Sequence, residues 1–404
     1  MRNLVIFLRD NYRKASFGPI LTFLSSFGQT FLISVYVPEI ILTFDMTEGS
    51  FGSLYALATV ISSVIMLTVG HYIDHKPVKQ VTALTLIGLI ISLVLLGFSH
   101  YSIILLMAAL IGMRLNGQGL LTHISYTIMA RYYSKDRGKA LSVASWGFAL
   151  GEALIPLTIS FFMIEFGYEA ASFISAGLLL LYLISLAFTD VSHFNAPATA
   201  EAKPSGFTLA KGFHKIIKGR AFSIIAPASF ALSFTSTAVF FYQYVFVNLK
   251  GWSPALYATF FTGYAVSRFV FSIVGGLWID RFSGRKVFRL YITPLALGLI
   301  PFALMDSIAG ALIFLLLAGC TIGMAGTVKS AVLAEVYGIE KLGTIRSLFT
   351  MFMVLSTALG PLVVGSLMDW GVTFQQIMLG LSAMIFLAAL NAQRMGKQGE
   401  EKVD

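Results

Sequence analysis

Charge is what this sequence has least of. Asp, Glu, Lys and Arg make up 12% of its 404 residues, whereas 57% are hydrophobic and the mean hydropathy is +0.82. Soluble domains carry about 25% charged residues, so the composition excludes a soluble globular protein. Cysteine is nearly absent. With Cys320 alone the chain closes no internal disulfide and builds no cysteine metal cluster, and the thiol reads as a small packing group. No Gly-x-x-x-x-Gly-Lys-Ser/Thr loop occurs, which leaves no nucleotide site for ATP-driven transport without a partner. No Ser/His/Asp or His/Glu spacing qualifies as a nucleophile–base set or a metal site; an enzyme, a metal and a cofactor are therefore not expected. A cleavable leader is not expected either. Arg2, Arg9, Arg13 and Lys14 precede an apolar run too long for a signal sequence, and residues 1–14 read as a cytoplasmic stub.

Long apolar runs fill the rest. A spanning helix needs about 20 apolar residues, and runs of that order recur near 17–42, 50–73, 79–98, 102–130, 138–164, 170–189, 221–248, 254–280, 286–305, 307–335, 343–369 and 373–393. The pattern predicts an all-α integral membrane protein of about twelve transmembrane helices. The formal net charge of +9 needs no nucleic acid to explain it. Of 28 lysines and arginines, Arg114, Arg268 and Lys329 fall inside apolar runs and Lys250 in an odd-numbered loop; the others lie at the termini or in even-numbered loops. That bias places both termini in the cytoplasm and fits a multi-pass protein of a prokaryotic inner (plasma) membrane.

The two halves repeat each other. Ser26-Phe27 recurs as Ser233-Phe234, Gly70-x-x-x-Asp74 as Gly276-x-x-x-Asp280, and Gly151 as Gly360, at offsets of 207, 206 and 209 residues. Near-constant offsets indicate a duplicated six-helix unit. The expected organisation is an N-terminal bundle over 1–192, a cytoplasmic linker over 193–219 and a C-terminal bundle over 220–404. The linker holds Pro197, Pro204 and Gly206, then the basic run Lys211, His214, Lys215, Lys218 and Arg220. It reads as a solvated connector that could include a short amphipathic helix on the inner leaflet.

Four charges interrupt the apolar runs: Arg114, Glu152, Arg268 and Lys329. An ionised group at that depth costs several kcal/mol unless it faces a partner or a wet cavity, so such groups mark places where something polar binds or passes. Three cations against one acid favour an anionic ligand, and arginine adds a planar fork suited to carboxylate or phosphate. Arg268 and Lys329 are expected to hold the anionic group while Arg114 and Glu152 form a switchable pair. Competition between solute and Glu152 for Arg114 would couple protonation to binding. Gln118, Tyr36, Gln243 and Tyr264, with Gln29, Tyr242 and Tyr244, are polar or amphipathic groups placed to contact a solute, although each also reads as a packing residue. His123 and Glu39 are weaker coupling candidates.

The stretch Gly275-Gly276-Leu277-Trp278-Ile279-Asp280-Arg281-Phe282-Ser283-Gly284-Arg285-Lys286 is similar to the signature loop of the major facilitator superfamily, with one extra residue before Gly284. A first-half copy runs from Gly70 through Asp74 to Lys79, with His75 in place of the arginine. The resemblance, which spans the whole chain, implies two pseudo-symmetric six-helix bundles that work as a monomer in the lipid bilayer by alternating access. It also implies a conformational lock at Gly70 and Asp74, and at Gly276, Asp280, Arg281 and Arg285. Arg114-Leu115-Asn116-Gly117-Gln118-Gly119 resembles the family's fourth-helix Arg-x-x-Gln-Gly element, whose arginine lies on the proton or substrate pathway; simple pairing of Arg114 with Glu152 remains open beside that. Gly138, Gly147 and Gly151 have the spacing of the drug–proton antiporter motif, but Glu152 stands where that motif has proline and Ile155-Pro156 replaces its closing glycines. Arg131 to Ala140 resembles the monocarboxylate and oxalate/formate branch. The expected function is secondary transport of a small organic anion such as a carboxylate, driven by a proton or another coupling ion, with symport the leading form. Efflux of amphipathic compounds and a non-transporting membrane sensor are the alternatives.

Overall fold

The computed structural model describes residues 2–70, 72–133, 136–195, 216–338 and 342–396. The basic residues at 211, 214 and 215, and with them most of the expected linker, lie outside the described residues. Among the described residues the chain is helical and contains no strand. Eleven segments of the described residues are long and apolar enough to cross a membrane. One of them, Lys139–Ala187, is two spans: Gly167 has φ 81° and ψ 168°, a backbone conformation open to glycine and costly for other residues. The twelve-helix expectation therefore holds, and this break falls in the gap expected between the fifth and sixth helices. Helix starts are fixed by short polar side chains. Ser102 accepts from the Ile104 N–H, Ser253 from that of Leu256, and Thr373 with Gln376 forms a reciprocal capping box.

The chain forms two compact units, Met1–Met46 with Leu57–Ala202 and Thr47–Ala56 with Lys203–Asp404. In the first, the fifth helix lies against the first so closely that a Cβ on Gly151 would overlap Ser26 Oγ. In the second, a Cβ on Gly360 would come within 2.6 Å of the Phe234 carbonyl oxygen. The repeated glycine thus serves the same close helix approach in both units, against the repeated Ser-Phe pair.

Two sequence expectations are corrected. Residues read as a stub form a helix, Arg2–Ala15, whose Phe7 ring meets Tyr133 edge-on at 4.9 Å. The first membrane helix, read as continuous, is broken: Phe17–Leu24 ends in a 3-10 turn at Ser25–Gly28, Gln29 is extended, and the helix restarts at Thr30.

The opening turns of the second helix pack with the second unit. The Tyr242 hydroxyl donates to the Glu48 carbonyl at 2.6 Å, and the Gly49 N–H donates to Asp369 Oδ1 at 3.1 Å. A carboxylate there satisfies a backbone donor that the first turn leaves open and lies at the positive end of the helix dipole. Phe51 stacks on Phe241 and Tyr55 meets it at a tilt, with ring centroids 5.5 and 4.2 Å apart.

Candidate functional site

Inside the first unit, two helices are irregular at the same place. Opposite the break at Ser25–Gln29, the fourth helix (Ile103–Tyr132) runs as a π-helix over Met113–Leu121. Wide turns of this kind mark functional sites. Gly28 and Gly117 let the two irregular stretches touch: a Cβ on Gly28 would sit 2.7 Å from Gly117 Cα and overlap the Met113 carbonyl oxygen.

The π-helical stretch carries Arg114 and Gln118. Arg114 is 7% exposed and donates through Nη1 to Thr30 Oγ1 at 3.2 Å and to the Gln118 amide oxygen. Thr30 is the first residue after the break, so the guanidinium joins both irregular stretches. Glu152, 3% exposed, follows Gly151, which rests on Ser26 within that break. Arg114 and Glu152 therefore both stand on helices that pack against the interrupted part of the first helix. Tyr36 is completely buried further along the first helix, its hydroxyl beside Ser172 and Ser175.

The second unit holds a cavity of about 330 Å³ bordered by the seventh, ninth, tenth and eleventh helices. Lys329 lines it, with its ammonium against Met353 Sδ. Lys329 is the one charged group in that lining among the described residues; Arg268, half-buried on the eighth helix, lies outside it. Gln243 is fully buried and accepts from the Tyr257 hydroxyl at 3.0 Å. Tyr264 packs between Phe240 and Phe261, with centroids at 5.1 and 4.9 Å. Arg268, Gln243 and Tyr264 are thus set apart from Lys329's cavity.

The signature loops are held by residues that sequence reasoning did not assign to them. Asp74 pairs with Arg131 at 3.3 Å, and Arg131 also donates to the Phe194 carbonyl at 2.8 Å. The Gly70 carbonyl lies 3.1 Å from His123 Nε2. In the second loop, Glu335 of the tenth helix accepts from the Gly284 and Arg285 backbone N–H groups at 2.6 and 3.1 Å, and Arg285 Nη2 donates to the Glu335 carbonyl at 3.1 Å. Arg285 is only 4% exposed. Asp280 and Arg281 are exposed, with Arg281 over the Phe282 ring at 5.2 Å. The close approach to the tenth helix is made by Gly275, whose Cβ would meet Met324 at 3.0 Å, whereas Gly276 faces open space. An acidic residue in the last turn of an apolar helix, beside a basic loop, is the signal that could have found Glu335.

Beyond the sixth helix, the Asp190 carboxyl is held below the usual range by the Ser192 backbone N–H, 2.9 Å away, and by the Ser192 hydroxyl. Burial pushes the His193 imidazole below its ordinary value, and the nearby Lys14 ammonium adds to that.

Ser283 has φ 80° and ψ 153°, a region that glycine alone occupies without strain. Ser283→Gly is expected to raise stability by about 1 kcal/mol, the relief exceeding the extra unfolded-state entropy of glycine. A thermal melt in detergent that shows a lower midpoint would contradict this.

The family model described as Major Facilitator Superfamily matches residues 20–261 and 246–395. The chain belongs to this superfamily. It is a multi-pass membrane protein of a family of secondary transporters. Solved structures similar to it include a bacterial homologue of the human lysosomal transporter Spinster in an inward-facing, unoccupied conformation, at 16% identity and TM-score 0.74, covering 94% of this chain and 96% of that one. The nucleoside transporter NupG aligns at 16% identity and TM-score 0.73 over 95% and 99% of the two chains. A D-xylose–proton symporter aligns at 15% and 0.69 over 96% and 98%. These likenesses establish the fold. Among curated proteins no match to the sequence was found.

Proposed function

We propose that the protein moves a small organic anion, a carboxylate, across the membrane by proton-coupled secondary transport. The observation that carries the solute reading is Lys329 bordering a cavity whose other described lining residues are uncharged. An ammonium in such surroundings attracts an anion far more strongly than it would in water. The coupling reading rests on Arg114 and Glu152, both almost fully buried on helices that meet the broken part of the first helix. A solute carboxylate that competes for Arg114 changes the environment of Glu152 and so its affinity for a proton. Similarity to a D-xylose–proton symporter is consistent with proton coupling.

The test is uptake into proteoliposomes with an inward proton gradient, using labelled carboxylates, sugars and lipophilic cations. Carboxylate uptake that follows the gradient and drops by about tenfold or more in Lys329→Ala is expected, the size of losing one charge-assisted contact. Uptake of lipophilic cations alone would overturn the anion reading. Binding of a carboxylate without uptake or counterflow would point to a sensor.

A further inference from the structure

We infer that the Lys329 cavity selects an amphipathic monoanion: a single carboxylate on the ammonium, with an unbranched or aromatic carbon body against Leu232, Leu333 and Met353. This rests on the anion reading above and narrows it.

Three observations carry it. The first is charge. With one cation in the lining among the described residues, a second carboxylate on the same solute would lie against uncharged groups, where an unpaired ion is costly. The second is the wall. Leu232 and Leu333 are apolar, and the flexible, polarizable Met353 adapts to varied carbon surfaces. The Met353 sulfur against the Lys329 ammonium is a weak acceptor, which a carboxylate oxygen would outcompete.

The third is the supply of hydroxyls. Five described lining residues carry a hydroxyl: Ser229, Ser233, Tyr291, Ser330 and Thr350. Ser330 Oγ already donates to the Gly326 carbonyl at 2.8 Å. Ser229 is 5% exposed, lines the cavity, and its Oγ has no hydrogen-bond partner among the described residues. A buried hydroxyl without a partner is rare in folded proteins and calls for a ligand or water. It can serve the second oxygen of a carboxylate held by Lys329. A polyhydroxylated solute would need a partner for every hydroxyl along its length, and Leu232 and Leu333 offer none, so each hydroxyl facing them would lose its water without replacement.

The experiment is calorimetric titration of the full-length protein in phosphatidylcholine nanodiscs with four six-carbon solutes: hexanoate, adipate, gluconate and hexylammonium. Hexanoate is expected to bind about tenfold or more tightly than adipate or gluconate. Lys329→Gln is expected to remove about tenfold in hexanoate affinity, and Ser229→Ala to weaken it by severalfold. The ranking of the four solutes on unaltered protein needs no variant to fold. Adipate or gluconate binding as tightly as hexanoate would overturn this inference and leave the anion reading standing. Hexylammonium binding alone would overturn both. No binding by any of the four would overturn the inference, since hexanoate is its simplest ligand. Adding an anionic phospholipid to the discs separates a soluble solute from a lipid headgroup: hexanoate affinity unchanged supports the inference, and its loss assigns the cavity to lipid and overturns it.

Discussion

Glu152→Gln protein in proteoliposomes is expected to exchange labelled for unlabelled solute but not to concentrate it. With the membrane potential clamped at zero and a proton gradient imposed, the inside-to-outside ratio should stay at about 1, because no coupling free energy then links proton and solute. The reason lies in position. Glu152 is 3% exposed, and its neighbour Gly151 rests on Ser26 at the break in the first helix. Arg114 reaches the same break through Thr30. Glutamine keeps the size of the side chain and, like the protonated carboxyl, both donates and accepts hydrogen bonds, but it cannot ionise, so folding and exchange should survive. A variant that still accumulates solute to the wild-type ratio would remove Glu152 from the coupling mechanism.

Gly28→Val should be among the most damaging single changes in the first unit. The added side chain would run into the Met113 carbonyl oxygen and Gly117 Cα, both backbone atoms that cannot rotate away. The helices must separate, at a cost of about 3 kcal/mol, and the separation would draw Thr30 away from Arg114. A strongly lowered melting midpoint in detergent, together with lost transport, is the expected result. Gly276→Ala is the comparison: nothing lies within 4 Å of its added Cβ, and the change should be neutral within about 0.5 kcal/mol. Equal losses in the two variants would mean that the contact of the two irregular helices is not what limits stability.

Much of the architecture was legible because it depends on local sequence. The twelve apolar runs follow from the length a bilayer demands, and Gly167 divides the fifth helix from the sixth where hydropathy predicts a gap. The repeated Gly151 and Gly360 do the same packing work in their own units. Other features were not legible. Hydropathy sees the first helix as one run, since Ser25 to Gln29 is too short and too mildly polar to interrupt it. The π-helix in the fourth is equally hidden, and the approach of its Gly117 to Gly28 appears only in the fold. Arg131 entered only through a branch resemblance and Glu335 through no motif; the fold brought them to Asp74 and to the backbone of Gly284 and Arg285.

The sequence by itself determined that the chain spans a membrane with twelve helices, that its halves are duplicates, and that four ionisable groups lie among apolar residues. Each of these is a property of composition or spacing along one stretch of chain. Only the tertiary structure decided that Thr47–Ala56 packs with the second unit, that Arg114 bridges two irregular helices, and that Lys329 lines the cavity of the second unit while Arg268 lies outside that lining. Those outcomes depend on which residues far apart in sequence meet, and helices of nearly uniform hydropathy carry little pattern that would say which faces pair.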